Sequence, residues 1–226
     1  MEKNWLRHKI AIVGGTGKEG KGLALRWAKA GHHVIIGSRS IEKAQAAAAE
    51  VKGMLSVPCD ITAKLNAEAV ADCTIAVLTV PFAAHRETLE ALKDALKGKI
   101  LIDVTVPLVP PQVTKVQMPP AGSAAMEAKT IVGENVQVVS AFQNISYENL
   151  LEQKEVDCDV LVCGETKEAR EVVLQLVRDT GLIGWDAGPI ENSAVVEGLT
   201  SILIGINKKH GVKSSGIRIT GVPKQD

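Results

Sequence analysis

The sequence predicts an α/β fold, a doubly wound and mostly parallel sheet with a small C-terminal helical unit. Two observations carry that expectation. Short apolar runs that end at glycine, proline or a polar residue alternate with helix-forming stretches along most of the 226 residues. The first of these strand–helix junctions holds the string Gly15-Thr16-Gly17-Lys18-Glu19-Gly20.

Residues 9–14 are a short apolar run closed by glycine, as a buried parallel strand requires. Residues 18–30 read as a helix stopped by Gly31. Residues 33–37 are a second strand, followed by an alanine-rich helix over 41–51. The spacing predicts a helix over 63–71, a strand over 74–80 stopped by Pro81, a helix over 85–96 and a strand over 99–104. Pro107, Pro110, Pro111, Pro119 and Pro120 then stiffen a long loop. The alternation resumes with strands over 136–142, 160–164 and 182–187 and helices over 123–132 and 167–179. We therefore expect residues 1–189 to form a nucleotide-binding domain, with residues 190–226 a small helical segment and tail.

Composition narrows the function. Lys+Arg and Asp+Glu each number 26, a balance that argues against a dedicated nucleic-acid or anionic-membrane binder. No apolar run reaches the length of a membrane span, and residues 1–9 lack the apolar core of a secretory signal. Cys59, Cys73, Cys158 and Cys163 form no CxxC pair and no zinc-type spacing. They read as reduced, mostly buried thiols of a cytoplasmic protein, and no metal site is expected.

The glycine string is a dinucleotide fingerprint because each glycine has a role in that setting. Gly15 permits the tight turn, Gly17 lets backbone approach a pyrophosphate, and Gly20 lets helix and strand pack closely. The helix start then offers N–H groups and a positive dipole end to phosphate. Gly15 to Lys21 also satisfies the start of a P-loop, but Gly22 stands where Ser or Thr would hold magnesium. The second strand decides between the two. An NAD-type site would carry a carboxylate at its end; here stand Ser38, Arg39 and Ser40, suited to a 2′-phosphate, with Lys43 one turn on and Glu42 opposing. NADP is the better fit.

The reacting groups are less legible. Of six aromatic residues, Phe82, Phe142 and Tyr147 fall just after strand ends, where ligands bind in open α/β sheets, and Trp5, Trp27 and Trp185 read as packing residues. Val80, Pro81 and Phe82 lie beyond a central strand and would meet a nicotinamide, although Phe82 also suits an apolar staple. His85 reads either as a group approaching the nicotinamide or as an exposed helix histidine. There is no GxSxG string and no Ser/His/Asp arrangement, so the chemistry points to cofactors that manage charge themselves.

At residues 12–17, 21–26, 37–39, 76–81, 138–142, 162–164, 186–189 and 216–221 the sequence resembles the F420H2:NADP oxidoreductases, also called NADPH-dependent F420 reductases. The resemblance covers essentially the whole chain. It implies a Rossmann-type domain, a homodimer, and reversible hydride transfer between NADP(H) and the deazaflavin of coenzyme F420. It further implies NADP contacts at Thr16, Ser38, Arg39 and Lys43, a nicotinamide beside Pro81 and Phe82, and a deazaflavin site lined by Phe142, Gln143, Asn144 and Ile145. Gln143 stands where some members carry histidine. Backbone N–H groups or the amides of Gln143 and Asn144 are expected to act as donors to charge arriving on the deazaflavin. Part of the basic patch of Lys208, Lys209, Lys213, Arg218 and Lys224 is expected to receive its anionic tail, the alternative being a solvated helix end whose charges complement the dipole.

Two rival readings remain open on the residues alone. One is an NADPH-dependent reductase of a small imine or keto substrate, for which the 37 residues of 190–226 are short. The other is a non-enzymatic NADPH-sensing domain.

Overall fold

The computed structural model describes residues 7–152 and 155–223, so Trp5 and Lys224 lie outside the described residues. One eight-stranded sheet runs through the molecule in the order β3-β2-β1-β4-β5-β6-β7-β8. Its strands are β1 (Lys9–Val13), β2 (His33–Ser38), β3 (Ile61–Leu65), β4 (Ile75–Leu78), β5 (Ile100–Asp103), β6 (Gln137–Ser140), β7 (Asp159–Gly164) and β8 (Ile183–Asp186). β1 to β6 are mutually parallel. β7 turns against β6, and β8 follows β7 in parallel.

Alternation along the strands builds two cores. Ile10 and Ile12 of β1 point to one face, where they meet α1 (Lys18–Lys29), α2 (Ile41–Gly53) and α7 (Lys167–Asp179) through Leu23, Trp27, Val51 and Leu176. Ala11 and Val13 point to the other, against α3 (Asn66–Ala71), α4 (Phe82–Leu96) and α5 (Ala124–Val132) through Val70, Leu89 and Ile131. Central β4 is buried throughout, as a strand covered on both faces must be, while edge strands β3 and β8 are half-exposed.

The structure corrects the reading of 63–71. Ala63, Lys64 and Leu65 are good helix formers, yet residues 61–65 are strand and only Asn66–Ala71 is helical. The open edge of β2 needs hydrogen-bond partners, and that tertiary demand overrides the local preference. The fourth helix begins at Phe82, not His85. A short helix, α6 (Tyr147–Leu151), was not anticipated.

The arginine Arg26 explains α6. Its buried guanidinium donates to the carbonyls of Asn149 (2.7 Å), Leu150 (2.9 Å) and Thr180 (3.0 Å), fastening α6 and the end of α7 to α1. Gly22 makes the close approach possible, because a Cβ there would sit 2.6 Å from Cβ of Leu150. Trp27 and Trp185 are struts, donating to Leu176 O and to Asp159 Oδ2.

The C-terminal helix α8 (Ser193–His210) lies on the proline-rich loop. Met118 and Val116 pack against Gly198, and Ser123 Oγ and Ser193 Oγ are 2.7 Å apart. The chain then returns to the start of β7, where Asp159 N–H donates to Ile217 O and Ile219 N–H donates to Asp159 Oδ2, each at 2.8 Å.

Candidate active site

Because β1, β2, β4, β5 and β6 are parallel, their carboxyl ends share one edge, and the residues singled out in the sequence gather there. The reversed β7 begins beyond the end of β6, so the returning 216–219 segment reaches the same edge.

The glycine turn fits its assigned roles. Gly14 adopts φ +72 and Gly15 N–H donates to Gly37 O at 3.0 Å, binding the turn to β2. A Cβ on Gly15 would meet Ile12 O at 2.8 Å, and one on Gly20 would meet Gly15 Cα at 2.7 Å. Gly17 differs, since its nearest neighbour would be Gly14 O at 3.8 Å. The protein itself leaves room there, and the open space suits an approaching phosphate. No side chain caps α1, so its first N–H groups stay available. Thr16 is half-buried in the turn, and Lys18 lies over the Tyr147 ring at 4.8 Å with its ammonium 3.3 Å from the hydroxyl.

At the end of β2, Ser38 is buried and its Oγ accepts from Ser40 N–H. Arg39 is exposed and makes no hydrogen bond or ion pair with any described residue. Ser40 Oγ donates to Glu42 at 2.6 Å, a hydrogen bond that holds this carboxyl below its ordinary range and turns it toward the cap of α2. Lys43 is exposed beside it. Arg39 and Lys43 thus leave two exposed cationic side chains at the end of β2, with Glu42 turned away into the cap.

Beyond β4, Val80 and Phe82 are half-buried and Pro81 is exposed. The Phe82 ring lies 5.8 Å from the ring of His85. His85 is not exposed. It is fully buried, with Nε2 2.8 Å from Asp103 Oδ2 and Nδ1 3.2 Å from Glu127 Oε1. Burial pulls its pKa down, but the hydrogen bonds to Asp103 and Glu127 outweigh this and raise it. No sequence spacing points to this cluster, since its carboxylates come from two other elements.

The segment after β6 is more buried than expected. Phe142, at φ +71, packs edge-on against Trp27 in the core, and Ile145 is also buried. Gln143 Nε2 donates to Asp103 O (2.7 Å) and Ser140 Oγ (2.8 Å), and Asn144 Nδ2 donates to Val196 O (2.9 Å) and Thr200 Oγ1 (3.1 Å). The amide donors are therefore consumed internally, and the expectation that they serve as donors is corrected. Gln143 Oε1 and Asn144 Oδ1 remain as buried acceptors without a partner among the described residues. Glu19 Oε1 and Thr105 Oγ1 are the other two such atoms, and all four follow the ends of β1, β5 and β6. Burial pushes the Glu19 carboxyl up to about 8.

Of the basic tail, Arg218 pairs with Asp157 and Lys213 faces Glu148 at 3.9 Å, while Lys208 and Lys209 are exposed at the end of α8. All four thiols are free, and burial pushes Cys163 up to about 12, which removes it as a nucleophile. Among the described residues no His/Cys/Asp/Glu group could hold a metal, and no helix is long and apolar enough to cross a membrane.

Residues 9–107 match the family described as NADP oxidoreductase coenzyme F420-dependent. The chain is 41% identical over 222 residues to the F420-dependent NADP reductase of Methanocaldococcus jannaschii, covering 95% of this chain and 99% of that one. It is 40% identical to the same-named protein of Methanothermobacter marburgensis, covering 96% and 100%. Among solved structures it resembles a chain named as a candidate F420-dependent NADP reductase from Arthrobacter sp. FB24, with TM-score 0.78, 25% identity and coverage of 94% and 99%.

Proposed function

The chain belongs to the F420-dependent NADP reductase family, and we propose from this, together with the geometry of the strand edge, that it transfers a hydride reversibly between NADP(H) and coenzyme F420. The observation that carries the reading is the union, at one sheet edge, of an open glycine turn, a guanidinium and four buried polar atoms that have no partner among the described residues. The two cofactors supply the redox chemistry themselves, as hydride donor and acceptor.

In this reading residues 1–189 bind NADP. Gly15, Thr16, Gly17, Lys18 and Gly20 cradle the pyrophosphate, with Glu19 protonated beneath them, so that no second anion opposes it. Ser38, Arg39 and Lys43 bind the 2′-phosphate. Val80, Pro81 and Phe82 flank the nicotinamide. The 142–145 segment, backed by residues 190–226, forms the deazaflavin side, where the Gln143 and Asn144 carbonyl oxygens suit an N–H donor on the incoming ring.

We further propose a cytoplasmic homodimer that binds no nucleic acid. Val195, Ile202 and Ile206 form an exposed apolar stripe at helical spacing along α8, in character with a self-complementary interface. Four free thiols suit a reducing compartment, and the balanced charge gives no basic footprint.

The test is the visible absorbance of oxidised coenzyme F420 after adding enzyme with NADPH, and separately with NADH. Rapid bleaching with NADPH alone is expected. Bleaching with both would keep the reaction and remove the role given to Arg39. No bleaching with NADPH bound would move the assignment to another hydride acceptor or to an NADPH sensor.

A further inference from the structure

Building on the hydride-transfer reading, we propose that His85 is a positioning residue for that reaction: clamped between Asp103 and Glu127, it fixes the turn carrying Pro81 and Phe82 relative to the segment carrying Gln143.

The contacts form a continuous chain. The rings of Phe82 and His85 are 5.8 Å apart, and His85 Nε2 meets Asp103 Oδ2 at 2.8 Å. Asp103 Oδ1 accepts from Thr105 N–H at 2.9 Å, shaping the turn after β5. The main-chain oxygen of Asp103 accepts from Gln143 Nε2 at 2.7 Å. On the other side, Glu127 accepts from Arg86 at 2.9 Å, so α5 holds two consecutive residues of α4. His85 and Asp103 are both fully buried, which shields these links from water and salt.

The charge arrangement is demanding. Each imidazole nitrogen faces a carboxylate oxygen, and both can donate only when the ring is an imidazolium. A cation in the first turn of a helix opposes the dipole, so the carboxylates must offset both desolvation and the helix end. The charged groups facing His85 are Asp103 from β5, Glu127 from α5 and Glu197 from α8, with Arg86 on its own helix paired to Glu127. Glu197 is buried, accepts from Ala124 and Ala125 N–H, and is pushed up to about 8 by burial. Below that pH it adds little negative charge.

The reaction gives such a clamp a purpose. Hydride transfer needs the donor and acceptor carbons about 3–3.5 Å apart, and a misplacement of about 1 Å costs on the order of 100-fold in rate. The sign of the pH effect follows from the raised pKa: the imidazolium persists above the ordinary histidine range and is lost as pH rises, so the maximal rate should fall on the alkaline side.

The test is steady-state turnover with NADPH and coenzyme F420 across pH in wild type, His85→Gln and Glu127→Gln. With His85→Gln we expect kcat to fall by roughly 30- to 100-fold with KM for NADPH unchanged, and the alkaline limb to disappear. With Glu127→Gln, a milder change at the edge of the cluster, we expect that limb to move down by about one pH unit or more. In Glu197→Gln a limb set by His85 should persist, whereas disappearance of the limb there would assign it to Glu197 and overturn the proposal. A folded His85→Gln with wild-type kcat, or, where that variant does not fold, an unmoved limb in Glu127→Gln, overturns the proposal. A wild-type protein that fails to bleach coenzyme F420 instead overturns the hydride-transfer reading on which it rests.

Discussion

The Cβ that Gly20 lacks would lie 2.7 Å from the Cα of Gly15, so the first helix and the glycine turn are in backbone contact. A backbone atom cannot rotate away as a side-chain tip can. Gly20→Ala should therefore destabilise the fold by about 1–3 kcal/mol and weaken NADPH binding together. Gly17→Ala has room in the protein and φ −74, so it should cost at most about 1 kcal/mol as a poorer helix cap while still losing NADPH affinity. Urea denaturation beside nucleotide titration separates the two.

Arg39 should govern the choice of nucleotide. Arg39→Ala is expected to raise KM for NADPH about 10- to 100-fold, the worth of a charge-assisted hydrogen bond, and to leave KM for NADH unchanged. Equal effects on both nucleotides would remove it from the 2′-phosphate site.

Glu19 gives a pH dependence to stability. Its carboxyl is pushed by burial up to about 8, against an ordinary value of 4.5. Between those values the folded chain keeps a proton that the unfolded chain releases. Stability from this group is therefore full below about pH 4.5 and is lost as pH rises toward 8. Glu19→Gln, which stays neutral, should flatten that slope and raise the melting temperature most at pH 8 and above. A wild-type slope retained in the variant would show that other groups set it.

Arg26 is a structural cation, and charge alone should not replace it. Arg26→Met leaves three carbonyls without their donor and should cost about 3 kcal/mol or more. Arg26→Lys should recover little, because an ammonium cannot present the planar fork that reaches Asn149, Leu150 and Thr180 at once. Thermal unfolding of the two variants checks this.

Charge on the stripe of α8 should separate a dimer. Val195→Glu with Ile202→Glu is expected to halve the mass in sedimentation without unfolding the chain, since both side chains are more than half exposed. A wild type that already sediments as a monomer would end the dimer proposal.

The strand–turn–helix framework proposed to hold the nucleotide was legible because its signals are local. Turn glycines, a strand end and the guanidinium at Arg39 lie within 25 residues, close enough for one to decide the reading of another. The segment proposed for the deazaflavin was singled out only through resemblance, and the structure leaves acceptors rather than donors free on its two side-chain amides. No spacing shows that the Gln143 and Asn144 amides spend their donors on Asp103, Ser140, Val196 and Thr200. β3 was missed because Ala63 to Leu65 favour helix until β2 offers an edge. The setting of His85 was missed because its partners lie 18 and 42 residues away.

The reversal between β6 and β7 has a mechanical side. Only two residue pairs join these strands, Val139 with Gly164 and Ser140 with Cys163, against four or five at each of the other junctions. That makes it the narrowest seam in the sheet, and it runs beside the segment bearing the two unpartnered amide oxygens. Opening such a seam breaks few backbone bonds, so local breathing with amide hydrogen exchange should concentrate there rather than in the proposed nucleotide half. The sheet is thus stiffest around β1, β2 and β4, where the glycine turn is held, and most supple beside Gln143 and Asn144.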